Sequence, residues 1–170
     1  MEGTAASVTF EGNPLTVAGT LPKVGEPAPD FEVLANDLTA VKLSGLRGKV
    51  CVICAVPSLD TPVCDTEIRK FNERAASLGD DVVVLAISTD LPFAQGRWCG
   101  AAGIKNVQAL SDHRNVEFGT SYGILIEGLR LLARAVFVVD KEGLLRYIEV
   151  VDELTNEPDY EAALEAVKDL

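Results

Sequence analysis

The sequence predicts an α/β fold: a central mixed β-sheet with helices on both faces, preceded by an N-terminal β-hairpin. Three observations carry this reading. Val50 to Val56 is nearly all apolar and rich in β-branched residues, the pattern of a strand buried on both faces. Directly after it, Cys64, Ile68, Phe71, Ala75 and Leu78 recur at helical spacing, marking one face of an amphipathic helix. Val82 to Ile87 then repeats the buried-strand pattern, closing a strand–helix–strand unit that calls for parallel pairing.

The remaining elements follow in order. Val8 and Phe10, then Leu15 and Val17, alternate around Glu11-Gly12-Asn13-Pro14, which reads as the N-terminal hairpin. Leu21 to Asp30 holds three prolines and a glycine and reads as an extended connector. Phe31 to Leu34 and Val41 to Leu43 are short strands around a polar turn. Pro92 to Ala102 is a short helix with proline in its first turn. Val107 to Leu110 is a further strand and Asn115 to Tyr122 a further short helix. Ala135 to Val139 and Leu144 to Val150 flank Asp140-Lys141-Glu142-Gly143, a hairpin signal. The last helix places Tyr160, Ala163, Leu164 and Val167 on one face. The whole order resembles the thioredoxin-like arrangement with an N-terminal extension.

At 170 residues the chain is read as one domain over 1–170, with 1–20 as the hairpin extension. A net charge of −11, with no Lys/Arg-rich cluster, argues against nucleic-acid or anionic-membrane partners. No apolar run approaches a membrane span, and Met1-Glu2-Gly3-Thr4 opens no signal peptide, so the expected location is cytoplasmic. Four cysteines are too few for a disulfide scaffold. Each is either a buried packing residue or a working thiol.

Cys51 and Cys54 form a literal Cys-x-x-Cys, but inside the expected buried strand. Residues three apart on a strand point to opposite faces and cannot close a disulfide there. They read as two small buried hydrophobes. Cys64 differs. Thr61 is suited to the N-cap and Pro62 to the first helical position, so Cys64 falls third in the helix, near the positive end of its dipole. It also belongs to the apolar stripe, and burial alone favours a neutral thiol. A cation or hydrogen-bond donors would be needed to hold a thiolate there. Local features leave two readings of Cys64 open: a small apolar residue at a helix start, or a nucleophile.

The string Pro57-Ser58-Leu59-Asp60-Thr61-Pro62-Val63-Cys64, containing Pro-x-x-x-Thr-x-x-Cys, resembles the active-site signature of peroxiredoxins. With Arg69-Lys70-Phe71-Asn72 it is similar to bacterial thiol peroxidases, the atypical two-Cys peroxiredoxins. Ser88 to Gln95, Arg97-Trp98-Cys99-Gly100, Ala133-Arg134-Ala135 and Val151 to Tyr160 extend the resemblance over nearly the whole chain.

That resemblance implies a peroxidase needing no metal or organic cofactor. Cys64 would be the peroxidatic cysteine and Cys99 the resolving one. Thr61, the Cys64 backbone N–H and Arg134 would stabilise the breaking peroxide bond, and Pro57 would shape and shield the pocket. The implied cycle reduces a hydroperoxide, passes through a Cys64 sulfenic acid and an intramolecular Cys64–Cys99 disulfide, and is recycled by thioredoxin. A homodimer is implied on the same ground. Taken alone, Thr61 could be a plain N-cap and Arg134 a surface arginine at a strand edge. A disulfide needs Cα atoms within about 7 Å, so both helical segments are expected to unwind during turnover. Gly96, Gly100 and Gly103 make the second helix easier to open.

Two other functions compete: a thiol–disulfide oxidoreductase using Cys51 and Cys54, and a redox sensor or holdase that oxidises without turning over. His113, the only histidine, sits in the polar stretch Ser111 to Asn115 and reads as a solvated loop or helix-start residue. No His/Cys cluster has metal-ligand spacing.

Overall fold

The computed structural model describes residues 4–170. Its strands and helices run β1 (Val8–Phe10), β2 (Asn13–Leu15), β3 (Val17–Ala18), β4 (Glu32–Leu34), β5 (Ala40–Lys42), β6 (Val50–Ala55), α1 (Pro62–Ala75), β7 (Val82–Ser88), α2 (Pro92–Ala102), β8 (Gln108–Ser111), α3 (Glu117–Ser121), β9 (Leu125–Ile126), β10 (Leu131–Leu132), β11 (Ala135–Val139), β12 (Leu145–Val150) and α4 (Tyr160–Val167).

The main sheet has seven strands in the order β12-β11-β6-β7-β8-β4-β5. Its centre is parallel, β6 with β7 and β7 with β8, and its flanks are antiparallel. The parallel pairs require crossover connections, which α1 and α2 provide. The sheet is therefore mixed, as expected.

Its two faces bury separate cores. One gathers Cys51, Ile53 and Ala55 of β6 with Phe31, Phe118, Tyr122 and Phe137. The other gathers Val50, Val52 and Cys54 with Cys64, Ile68 and Phe71 of α1 and Ala163 and Val167 of α4. α3 thus covers one face while α1 and α4 cover the other. Strand alternation alone assigns each β6 residue to its side.

Two departures from the expected elements concern the N-terminal region. The hairpin exists, but its turn is Glu11-Gly12, and Asn13 and Pro14 already belong to β2. Val17 is not part of that hairpin. It lies in β3, which pairs with β9 in a separate three-stranded sheet, order β10-β9-β3. Gly123 makes that junction possible: its φ is +67°, and a Cβ there would fall 2.4 Å from the backbone carbon of Thr20. The extension is thereby seated against the segment that leads into β9.

Candidate active site

β6 ends at Ala55, and Pro57, which is buried, begins the loop that delivers the chain into α1. Thr61 occupies the N-cap with extended backbone, Pro62 opens the helix, and Cys64 is its third residue. The side-chain cap expected of Thr61 does not form. Its hydroxyl donates instead to the Ser58 carbonyl at 3.0 Å. That bond commits the hydroxyl proton to the loop and leaves the oxygen as an acceptor.

Cys64 is fully buried, because its position on α1 turns it toward the sheet. Its sulfur is not left among apolar groups alone. Arg134 Nη2 donates to Cys64 Sγ at 3.3 Å. Arg134 directly precedes β11 and is 1% exposed, so it is not a surface arginine at a strand edge. Its guanidinium is clamped on every side: Nη1 donates to Glu67 Oε2 at 2.5 Å, and Nε and Nη2 donate to the Leu154 carbonyl at 3.2 and 2.9 Å. Burial works against its charge, but the Glu67 carboxylate and the Cys64 sulfur outweigh that, and the guanidinium is held even more firmly protonated than usual. A planar fork with five N–H donors meets these acceptors in one fixed orientation, which a lysine could not do.

Glu67 went unnoticed in the sequence. It lies three residues after Cys64, hence on the same helix face, and is wholly buried. Burial raises its carboxyl to about 7, against the opposing pull of the Arg134 charge and hydrogen bond. Its Oε1 has no hydrogen-bond partner among the described residues. The signal was present: an acid set in an apolar stripe needs a buried cation.

An apolar basin of about 420 Å³ opens over this group. Phe10, Pro57, Leu129, Leu131 and Leu154 wall it, with Thr61 and Arg134 also on its lining. Phe10 and Leu129 remain 46% and 53% exposed at its rim. Pro57, Thr61, Cys64 and Arg134 are thus gathered at one place.

Cys99 is not in that group. It sits half-buried on α2, and burial raises its thiol. All four cysteines are free thiols. Cys51 and Cys54 lie on opposite faces of β6, in the two different cores. Burial pushes Cys51 up to about 11 and Cys54 well above its ordinary value, so both stay protonated at neutral pH. His113 is half-buried in the turn after β8, where its backbone N–H donates to Ser111 Oγ at 3.3 Å. Among the described residues no helix is long and apolar enough to cross a membrane.

Residues 23–164 match the Redoxin family. The thiol peroxidase of Halalkalibacterium halodurans is 58% identical over 163 residues, covering 96% of this chain and 98% of that protein. The thiol peroxidase of Bacillus subtilis is 54% identical over 165 residues, covering 97% and 98%. Among solved structures, a peroxiredoxin-like protein from Aquifex aeolicus superimposes with a TM-score of 0.90 at 45% identity, covering 98% of each chain. A thiol peroxidase from Chromobacterium violaceum, 20% identical, superimposes at 0.85 over 95% of each chain, a likeness of fold. The fold is the thioredoxin-like fold of peroxiredoxins, and the chain belongs to the redoxin family, among its thiol peroxidases.

Proposed function

We propose that this protein reduces hydrogen peroxide and organic hydroperoxides through Cys64, acting as one domain over its full length. The observation that carries the reading is the buried Arg134, 3.3 Å from Cys64 Sγ and immobilised by Glu67 and the Leu154 carbonyl. A fixed cation at a sulfur is suited to a thiolate nucleophile and to the charge that leaves with the peroxide oxygen.

In this scheme the Cys64 thiolate attacks the terminal oxygen of ROOH. The O–O bond breaks, the terminal O–H stays on sulfur as the Cys64 sulfenic acid, and RO⁻ leaves, taking a proton from water to become ROH. Negative charge moves from sulfur toward the oxygens, so donors held in place in advance stabilise the transition state more than the ground state. Arg134 supplies one donor. The Cys64 N–H, in the first turn of α1, has no intrahelical acceptor and supplies another. Thr61 Oγ1, its proton bound to Ser58, accepts from the peroxide O–H and orients it. Pro57 shields the sulfur. The apolar basin fits the carbon tail of an organic hydroperoxide.

Cys99 then attacks the sulfenic sulfur, giving a Cys64–Cys99 disulfide and water, and a thioredoxin dithiol reduces it by exchange. Family membership alone supports a cytoplasmic homodimer. The test is peroxide consumption coupled to thioredoxin, thioredoxin reductase and NADPH. The wild-type protein is expected to turn over both hydrogen peroxide and cumene hydroperoxide, and Cys64→Ser neither. A Cys64→Ser variant that still consumes peroxide would overturn the reading.

A further inference from the structure

α2 carries Cys99 but contributes little to the apolar core. Only Pro92 and Gln95 of this helix are buried, and at its start Leu91 and Phe93 are 54% and 69% exposed. Trp98 and Cys99 lie half-buried against the α1-side core, and polar bonds complete the docking. Gln95 Nε2 donates to Ser88 Oγ at 3.0 Å and to the Leu110 carbonyl at 2.8 Å. Trp98 Nε1 donates to Asp65 Oδ1 at 2.8 Å.

The partner of Trp98 belongs to a polar stripe on α1. Asp65, Arg69 and Asn72 stand at helical spacing on one face, and all three reach the second segment. Asp65 Oδ2 accepts from Arg69 Nε at 2.9 Å, and the Arg69 guanidinium lies 5.9 Å from the centre of the Trp98 ring. Asn72 Oδ1 accepts from the N–H groups of Lys105 and Asn106 at 3.1 and 2.8 Å. The central bond also has a particular place in the sequence. Asp65 is the residue after Cys64, and Trp98 is the residue before Cys99.

We propose that Asp65, Arg69 and Trp98 form a clasp between the two cysteine-bearing segments, and that its release governs how fast a Cys64 sulfenic acid is resolved. The inference rests on the reading that Cys64 and Cys99 join in a disulfide. The first turn of α1 cannot unwind without losing the Asp65–Trp98 bond, and neither can the second half of α2. The clasp therefore makes the two openings a single event. Because α2 has little apolar burial, a bond to a carboxylate is a large share of what holds it.

The chemistry gives the clasp a consequence. In resolution, the Cys99 sulfur attacks the sulfenic sulfur, the S–S bond forms, the S–O bond breaks, and the oxygen leaves as water with the Cys99 proton. Cys99 is oxidised and Cys64 is reduced. In the competing step, a second hydroperoxide transfers its terminal oxygen to the sulfenate, leaving a sulfinic acid and an alcohol. Holding the clasp closed slows the first step and leaves more time for the second. Asp65 and Trp98 are thus positioning residues whose strength sets the peroxide concentration at which the enzyme inactivates.

The test is rapid-quench mass spectrometry of the full chain after mixing with cumene hydroperoxide, at one equivalent and at large excess. Trp98→Phe keeps an aromatic ring and removes the N–H donor; Asp65→Ala removes the acceptor. Each variant is expected to form the disulfide about three- to tenfold faster, the weight of one ordinary, partly exposed hydrogen bond, and to accumulate less sulfinic acid at excess peroxide. The double variant is expected to be no faster than Asp65→Ala alone, since that variant has already lost the Asp65–Trp98 bond together with the Asp65–Arg69 pair. If Trp98→Phe forms the disulfide at the wild-type rate or more slowly, the clasp is refuted while the disulfide reading stands. If the wild-type chain forms no Cys64–Cys99 bridge, the functional reading falls and the clasp with it.

Discussion

Arg134 Nη1 and Glu67 Oε2 lie 2.5 Å apart, both side chains almost wholly buried, and the same guanidinium touches Cys64 Sγ. The ion pair joins a strand start to the inner face of a helix across 67 positions of sequence. Taking two charges out of water is costly and offsets much of their attraction. Its value is therefore one of placement: Glu67 fixes where the third acceptor of Arg134, the sulfur, is served.

Arg134→Lys keeps the charge but loses the planar fork. The second-order rate of the peroxide reaction, followed by stopped flow, is expected to fall about 10²- to 10³-fold, as when one transition-state donor is removed. Arg134→Met removes the charge as well and strands the Glu67 carboxylate above pH 7, where it is ionised, at a cost of about 3–5 kcal/mol in urea unfolding at pH 8. Adding Glu67→Gln to Arg134→Met is expected to restore most of that stability and none of the activity.

Glu67 also sets a pH dependence. Its folded value is raised from the ordinary 4.5 to about 7 by burial. Between those values the folded chain keeps a proton that the unfolded chain releases, so the Glu67 contribution to stability is complete below about 4.5 and is lost as pH rises through 7. Glu67→Gln has no such proton. From pH 4.5 to 8, wild type is expected to lose on the order of 3 kcal/mol relative to that variant. Denaturant midpoints at several pH values measure the difference, and other titrating groups cancel in the comparison.

Cys51 and Cys54 are packing residues. Replacing both with Ala is expected to cost about 1–3 kcal/mol of stability through lost core volume while changing the peroxidase rate by less than about threefold. Loss of turnover in a folded double variant would favour the oxidoreductase reading.

Gly123→Ala tests how the N-terminal extension is seated. The added Cβ would lie 2.4 Å from Thr20 C and 2.6 Å from Leu21 N, on a backbone with φ of +67°. Both the clash and the strain act together, and a loss of about 2–4 kcal/mol is expected in thermal or urea unfolding.

The central elements were legible because their periodicities are long. β6, α1 and β7 each span several repeats of a burial pattern, and the assignment of Cys51 and Cys54 to opposite faces follows from alternation. β9 and β10 were not legible: two residues each carry no period. Val17 joined the wrong pair because its partner Ile126 is remote in sequence. Within the site, Thr61, Cys64 and Arg134 were named from motif resemblance. The Leu154 acceptor is a backbone carbonyl, invisible in side-chain chemistry. Glu67 was readable as an acid on a buried stripe, but not the arginine it would meet. The Asp65–Trp98 bond needed the fold, since only the packing of α1 beside α2 brings the two together.

The most direct measurement is peptide mapping of the disulfide formed after one equivalent of hydroperoxide. The account predicts that Cys64 and Cys99 are bridged while Cys51 and Cys54 remain free thiols. A bridge containing Cys51 or Cys54, or a Cys64 left unmodified while peroxide is consumed, would contradict it.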